Sequence, residues 1–170
     1  MSRSDIRRTT ALLGAVLGCL VAGSFGHRGA VQATPSSGFA STTATAFGVP
    51  DLNFKSLSPT HQVRLYTKGD SDIYVTINVV SPGGHSGWHT HPGPSFVVVK
   101  TGTATLYDGD DPTCTPRVVE AGDWFTDPGG GHVHLVRNET LLPLETAAFQ
   151  VVPAGAPRRI DMPAPGYCGF

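Results

Sequence analysis

GGHSGWHTHPGPSFVVVKTG, residues Gly83 to Gly102, is the stretch around which the rest of the chain is read. It sets His89 and His91 two residues apart, directly before a Pro-Gly-Pro corner and the run Phe96-Val97-Val98-Val99. Side chains of a strand alternate with period 2, so both imidazoles leave the same face. A second pair follows about forty residues on, in Gly130-Gly131-His132-Val133-His134, and it too leads into a short apolar strand. Imidazole is the commonest protein ligand for mid-to-late first-row divalent metals, and three that converge leave coordination positions open. Five of the seven histidines lie between His85 and His134.

Working outward, 170 residues with 21 Gly and 14 Pro suffice for one domain with extensions. Short Val, Thr and aromatic runs between Gly and Pro turns predict many short strands and no long amphipathic helix. One strand is expected near Val63 and Leu65. In the next, Ile73, Val75, Ile77 and Val79 share a face. Phe96 to Lys100 and Thr103 to Tyr107 read as a hairpin about Thr101-Gly102. Arg117 to Glu120 and Trp124 to Thr126 read as strand, turn, strand, and Leu144 to Val152 as the last strand. The expected fold is all-β, a sandwich or a jelly-roll barrel that can enclose a ligand cavity. His61 is read as a surface residue, His85 as an exposed loop histidine or a gate, and Arg137 as pointing outward. Trp88 and Phe96 are read as core packing or as cavity lining.

Arg3, Arg7 and Arg8 precede an apolar run from Ala11 to about Ala22, the order of a secretory signal, with a small-residue cleavage point after Ala33. Arg7-Arg8 resembles a twin-arginine signal. The organisation expected is signal peptide 1–33, flexible spacer 34–58, barrel 59–153 and irregular tail 154–170, with a secreted, periplasmic or cell-envelope location. The apolar run is short of the ~20 residues of a membrane span, so no stable span is expected after cleavage. From Thr34 onward eight Lys and Arg face twelve Asp and Glu, a formal net charge of −4, which provides no basic footprint for nucleic acid. Cys114 and Cys168 remain in an oxidising compartment and are expected to pair with each other.

At the two histidine stretches the sequence resembles the cupin superfamily, whose members are double-stranded β-helix barrels. The family's first motif, G-x5-H-x-H-x3-E-x6-G, stands here as Gly83, His89, His91, Ser95 and Gly102, with Ser in place of Glu. The second, G-x5-P-x-G-x2-H-x3-N, stands as Gly122, Pro128, Gly130, His134 and Asn138, with one extra residue in the glycine run. The resemblance implies one divalent transition metal (Fe, Mn, Cu, Ni or Zn) held by His89, His91 and His134. His132 is left as an alternative ligand, an additional one, or a nearby base.

Ser95 is a poor ligand and a poor base where the family has a carboxylate, so the implied site is three imidazoles, one unit more positive, with an extra open position. Both changes favour an anionic or bidentate small molecule. Such sites are similar to those of three-histidine dioxygenases on this fold. Two functions stay open: a metal-dependent, oxygenase-type enzyme with His132 as candidate catalytic residue, or a non-catalytic exported module for a metal or small ligand. A homodimer is a further expectation.

Overall fold

The structure, a computed structural model, describes residues 32–170. The export-signal reading of residues 1–33 lies, up to residue 31, outside the described residues. Twelve strands follow: β1 (Ser37–Val49), β2 (Asn53–Leu57), β3 (Gln62–Tyr66), β4 (Ser71–His85), β5 (His89–Thr90), β6 (Ser95–Thr101), β7 (Thr103–Asp108), β8 (Arg117–Glu120), β9 (Trp124–Asp127), β10 (His134–Arg137), β11 (Leu144–Pro153) and β12 (Ile160–Asp161). Among the described residues no helix is long and apolar enough to cross a membrane.

Ten strands form one nearly closed sheet. Its front is β1-β4-β11-β6-β9 and its back is β12-β5-β10-β7-β8, and the long β4 reaches both, pairing β11 along its length and β10 at Arg137↔His85. All pairings are antiparallel, as expected of a jelly-roll. The separate hairpin β2–β3 makes a two-stranded sheet.

The expected hairpin at Gly102 is a corner instead. β6 pairs β11 and β9, whereas β7 pairs β10 and β8, so the chain passes from front to back between Thr101 and Thr103. The turn at Gly122 is the matching corner on the return, from β8 to β9. The two corners are tied by Gly122 N–H donating to the Val99 carbonyl and Val99 N–H donating to Asp123. A two-stranded ribbon bent across both sheets is what closes a double-stranded β-helix. Gly102 has φ +76°, and a Cβ there would lie 2.5 Å from the Pro143 carbonyl oxygen, so glycine is required on both counts.

The alternation expected in β4 is present. Ile73, Val75, Ile77 and Val79 face outward, where Val75 and Val79 are exposed, while Thr76 and Val80 are buried and point inward with Asn78. Period 2 identifies two faces without saying which is the interior, and here the interior is partly polar because it holds a cavity. The core proper is Val80, Val97, Val99, Ala104, Leu106, Val119, Phe125, Leu144 and Ala148, packed between the two sheets. Phe96 lies half exposed on the outer face and does not line the cavity. Trp88 is fully buried in a second cluster with Tyr107, Leu135 and Cys168.

Two terminal segments are more ordered than their composition suggests. Residues 34–58, which read as a spacer, contain β1 and β2. β1 pairs with β4 from Val49↔Ser71 to Ser37↔His85, and its Thr-rich sequence suits an edge strand. It has no apolar alternation because nearly all its side chains are exposed, Phe39 being the one packed on the core. Residues 154–170 contain β12, which pairs β5 at Ile160↔Thr90 and Asp161↔His89, and they are tied down by a Cys114–Cys168 disulfide with Cα atoms 5.5 Å apart. The sheet therefore runs from Ser37 to Asp161, beyond the expected limits of 59 and 153 on both sides.

Candidate metal centre

His89 and His91 come from β5 and the residue just after it, and His134 opens β10 directly opposite, in register His134↔His89. The alternation expected of the His-x-His pair places both imidazoles in the barrel, and all three rings are 5% exposed. The extra residue of the glycine run is absorbed by Gly129, Gly130 and Gly131, whose φ values of +69°, +65° and +100° are open to glycine with little strain. This bend brings His134 beside His89. Ring centroids lie 4.9 Å apart for His89–His91, 4.3 Å for His89–His134 and 5.5 Å for His91–His134, and the three ligand atoms fall within 4.8 Å of one another.

The donor set suits a metal in its details. His89 Nδ1 donates to the Gly87 carbonyl at 2.8 Å, and His91 Nδ1 donates to the Arg158 carbonyl at 2.7 Å. Each bond fixes the tautomer and leaves Nε2 with a free lone pair. Burial, the largest cause at all three rings, keeps them neutral, the form that ligates: His89 is well below the usual value, His91 is lowered, and His134 is pushed down to about 4 against the opposing pull of Asp127. The rings line a cavity of about 60 Å³.

Ser95 is 2% exposed and stands in the middle of a polar row across three strands. Register places Gln150 on β11 on one side of it and Asp127 on β9 on the other, both nearly as buried and both lining the cavity. Gln150 Nε2 donates to Ser95 Oγ at 2.7 Å. Asp127 Oδ1 accepts from Gly129 N–H at 3.1 Å and His132 Nδ1 at 3.0 Å, and it lies 3.7 Å from His134 Nδ1. Asp127 Oδ2 and His134 Nδ1 are buried without a partner. A carboxylate thus enters the cavity one strand away from where the family's Glu would stand.

His132 sits at the flank. Its side chain is 26% exposed, held between Asp127 and, at 3.4 Å, Asp108, and its ligand atom lies within 4.8 Å of those of Asp127 and His134, a second set able to hold a metal that shares His134 with the first. His85 is half-buried, its Nδ1 accepting from Gly87 N–H and its ring lowered by burial and Arg137. His61 is exposed.

Sequence reasoning did not single out Asp127, Gln150, Arg158 or Arg159. For Asp127 a signal existed, since it alternates with the buried Phe125 along a strand. The two arginines lie in a tail without periodicity, yet both line the cavity.

No curated protein sequence matches the chain. A family model described as a cupin domain matches residues 77–152. Among solved structures the chain is similar to an oxalate oxidase (21% identity, 53% of this chain and 46% of that one, TM-score 0.45). It is also similar to a cupin superfamily protein of Desulfitobacterium hafniense DCB-2 (9%, 65% and 78%, TM-score 0.42) and to DMSP lyases (19%, 53% and 44%, TM-score 0.45). The chain spans less than half the length of the oxalate oxidase and of the lyase. The nearly closed antiparallel barrel with its bent ribbon and the family match agree that residues 77–152 form a cupin domain.

Proposed function

We propose that the protein is an exported, metal-dependent cupin enzyme of the oxygenase type, acting on a small molecule that chelates the metal held by His89, His91 and His134. The observation that carries this reading is the convergence of three buried, neutral imidazoles, two of them with Nδ1 already committed to backbone carbonyls. A divalent transition metal in that set supplies Lewis acidity and, if redox-active, a route for electrons to an oxidant. The residues around it do the rest. Asp127 provides negative countercharge near His134 and holds His132. Gln150 and Ser95 fill the volume left by the absent Glu with a satisfied amide–hydroxyl pair. Val97, Phe125, Val136 and Ala148 give the cavity an apolar floor that limits its water. The buried Asp127 favours catalysis over passive binding, because it restores a carboxylate to the cavity. The reading of a non-catalytic module draws on Ser95 itself.

The test is elemental analysis of the full chain, purified without chelator, beside His91→Ala and His132→Ala, followed by dioxygen uptake with small chelating acids. Near-stoichiometric metal lost in His91→Ala and kept in His132→Ala is the expected result. Little metal in the wild type, even after reconstitution with Fe(II), Mn(II), Cu(II) and Zn(II), would sink the metalloenzyme reading. Metal without uptake on any chelating acid would favour the binding module.

A further inference from the structure

Arg158 is one of two arginines that line the cavity. Its backbone carbonyl orients His91, and its side chain enters the cavity, where Nη1 donates to Gln150 Oε1 at 2.9 Å. Among the described residues the guanidinium makes no other hydrogen bond and no ion pair. Arg159, which also lines the cavity, is committed: its Nε pairs with Asp161 and its Nη2 donates to the Ser86 carbonyl, both at 2.6 Å. Gln150 links Arg158 to the triad, its Nε2 lying 3.3 Å from His91 Nδ1. Through Gln150 the guanidinium is one amide group away from His91, and Arg158 lines the same cavity as the three imidazoles.

We infer that Arg158 is a specificity-determining residue that binds the carboxylate of a small, metal-chelating carboxylic acid. This rests on the metal reading above and names its substrate class. Three neutral imidazoles leave a divalent metal its full charge, and Arg158 adds another, against the single carboxylate of Asp127. A cavity with that surplus selects an anion. The guanidinium fork matches a carboxylate through two parallel N–H···O bonds, which a point charge does not reproduce. A cavity of about 60 Å³ suits a small molecule. An acid with a second oxygen donor beside its carboxylate, a 2-hydroxy or 2-oxo acid, reaches both the fork and the metal. The fork comes from the C-terminal segment, so specificity is set outside the two histidine motifs.

The experiment loads the full chain with Co(II), whose visible spectrum reports ligand binding, and titrates it with lactate and with azide, an anion that binds metal without needing a fork. Variants are Arg158→Gln, Arg158→Lys and Lys100→Gln, the last removing a surface charge from the Lys100–Glu145 pair. Lactate affinity falls at least tenfold in Arg158→Gln and by an intermediate factor in Arg158→Lys. Azide affinity changes less than about threefold, and Lys100→Gln behaves as wild type, in line with the modest, screened effect of a distant surface charge. Equal losses for lactate and azide would overturn the fork in favour of a general field effect. Loss of Co(II) from Arg158→Gln would overturn it in favour of a structural role. A wild type that takes up no Co(II) removes the metal reading and this inference together, whereas a loaded wild type with unchanged lactate affinity in Arg158→Gln removes this inference alone.

Discussion

At position 95 the chain has a buried serine where the first motif has a glutamate. Ser95 is flanked in register by Gln150 and Asp127, and the amide satisfies the hydroxyl while the acid sits across the strand with one oxygen unpartnered. A buried carboxylate oxygen without a donor is costly unless a cation or polar group reaches it. Its neighbours on the cavity side are His134 and whatever the triad holds, so Asp127 belongs to the site electrostatically. Asp127→Asn keeps the side chain's shape and an acceptor for Gly129 while removing the charge. Metal affinity in that variant is expected to fall about tenfold to a hundredfold, the usual cost of losing a group that supports a metal-ligating histidine. Competition against a chelator of known strength reads it directly, and unchanged affinity would make Asp127 a purely structural anchor for the glycine bend. The histidines were legible in the sequence because spacing by two is a property of strands. For Asp127 the alternation with Phe125 signals an inward side chain, but its place beside Ser95 was not legible, because cross-strand register decides which residue faces Ser95 and register is absent from a linear reading.

The elements repeat this lesson at larger size. Strand positions were readable from β-branched and aromatic runs, and β6, β7, β8, β9 and β11 lie where expected. Pairing was less readable: Thr101-Gly102 and Ala121-Gly122 carry the turn chemistry of hairpins and serve as corners. The difference lies in what the glycine touches. At Gly102 a methyl group would meet the Pro143 carbonyl oxygen from the loop before β11, in a conformation that L side chains rarely adopt. Gly122 has open space around it. Gly102→Ala is therefore expected to cost more than the ~1 kcal/mol of backbone strain alone, because strain and clash add, whereas Gly122→Ala carries the strain only. Urea denaturation of both variants checks the order, and equal losses would show that the corner at Gly102 relaxes freely.

At the scale of the whole molecule, the segment beyond the last long strand completes the barrel's site. β12 pairs the strand that carries His89, the Arg158 carbonyl fixes His91, and the Cys114–Cys168 bridge fastens the end of this segment over Trp88, Tyr107 and Leu135. The bridge spans 54 residues of sequence, and closing a loop of that length in the unfolded chain is worth about 4 kcal/mol on the chain-entropy account. Replacing both cysteines with serine should therefore lower the melting temperature by on the order of 10–20 °C. Such a fall alone would say only that the disulfide stabilises the fold. The specific expectation is that metal affinity falls too, because a loosened segment releases the carbonyl that holds His91 in its ligating tautomer. Gly102→Ala is the control, a destabilising change at a corner outside the cavity lining. It should lower the melting temperature and leave metal affinity unchanged at a temperature where the protein is folded. If the cysteine variant behaves in the same way, the C-terminal segment is a brace for the barrel and contributes nothing to the metal centre beyond stability.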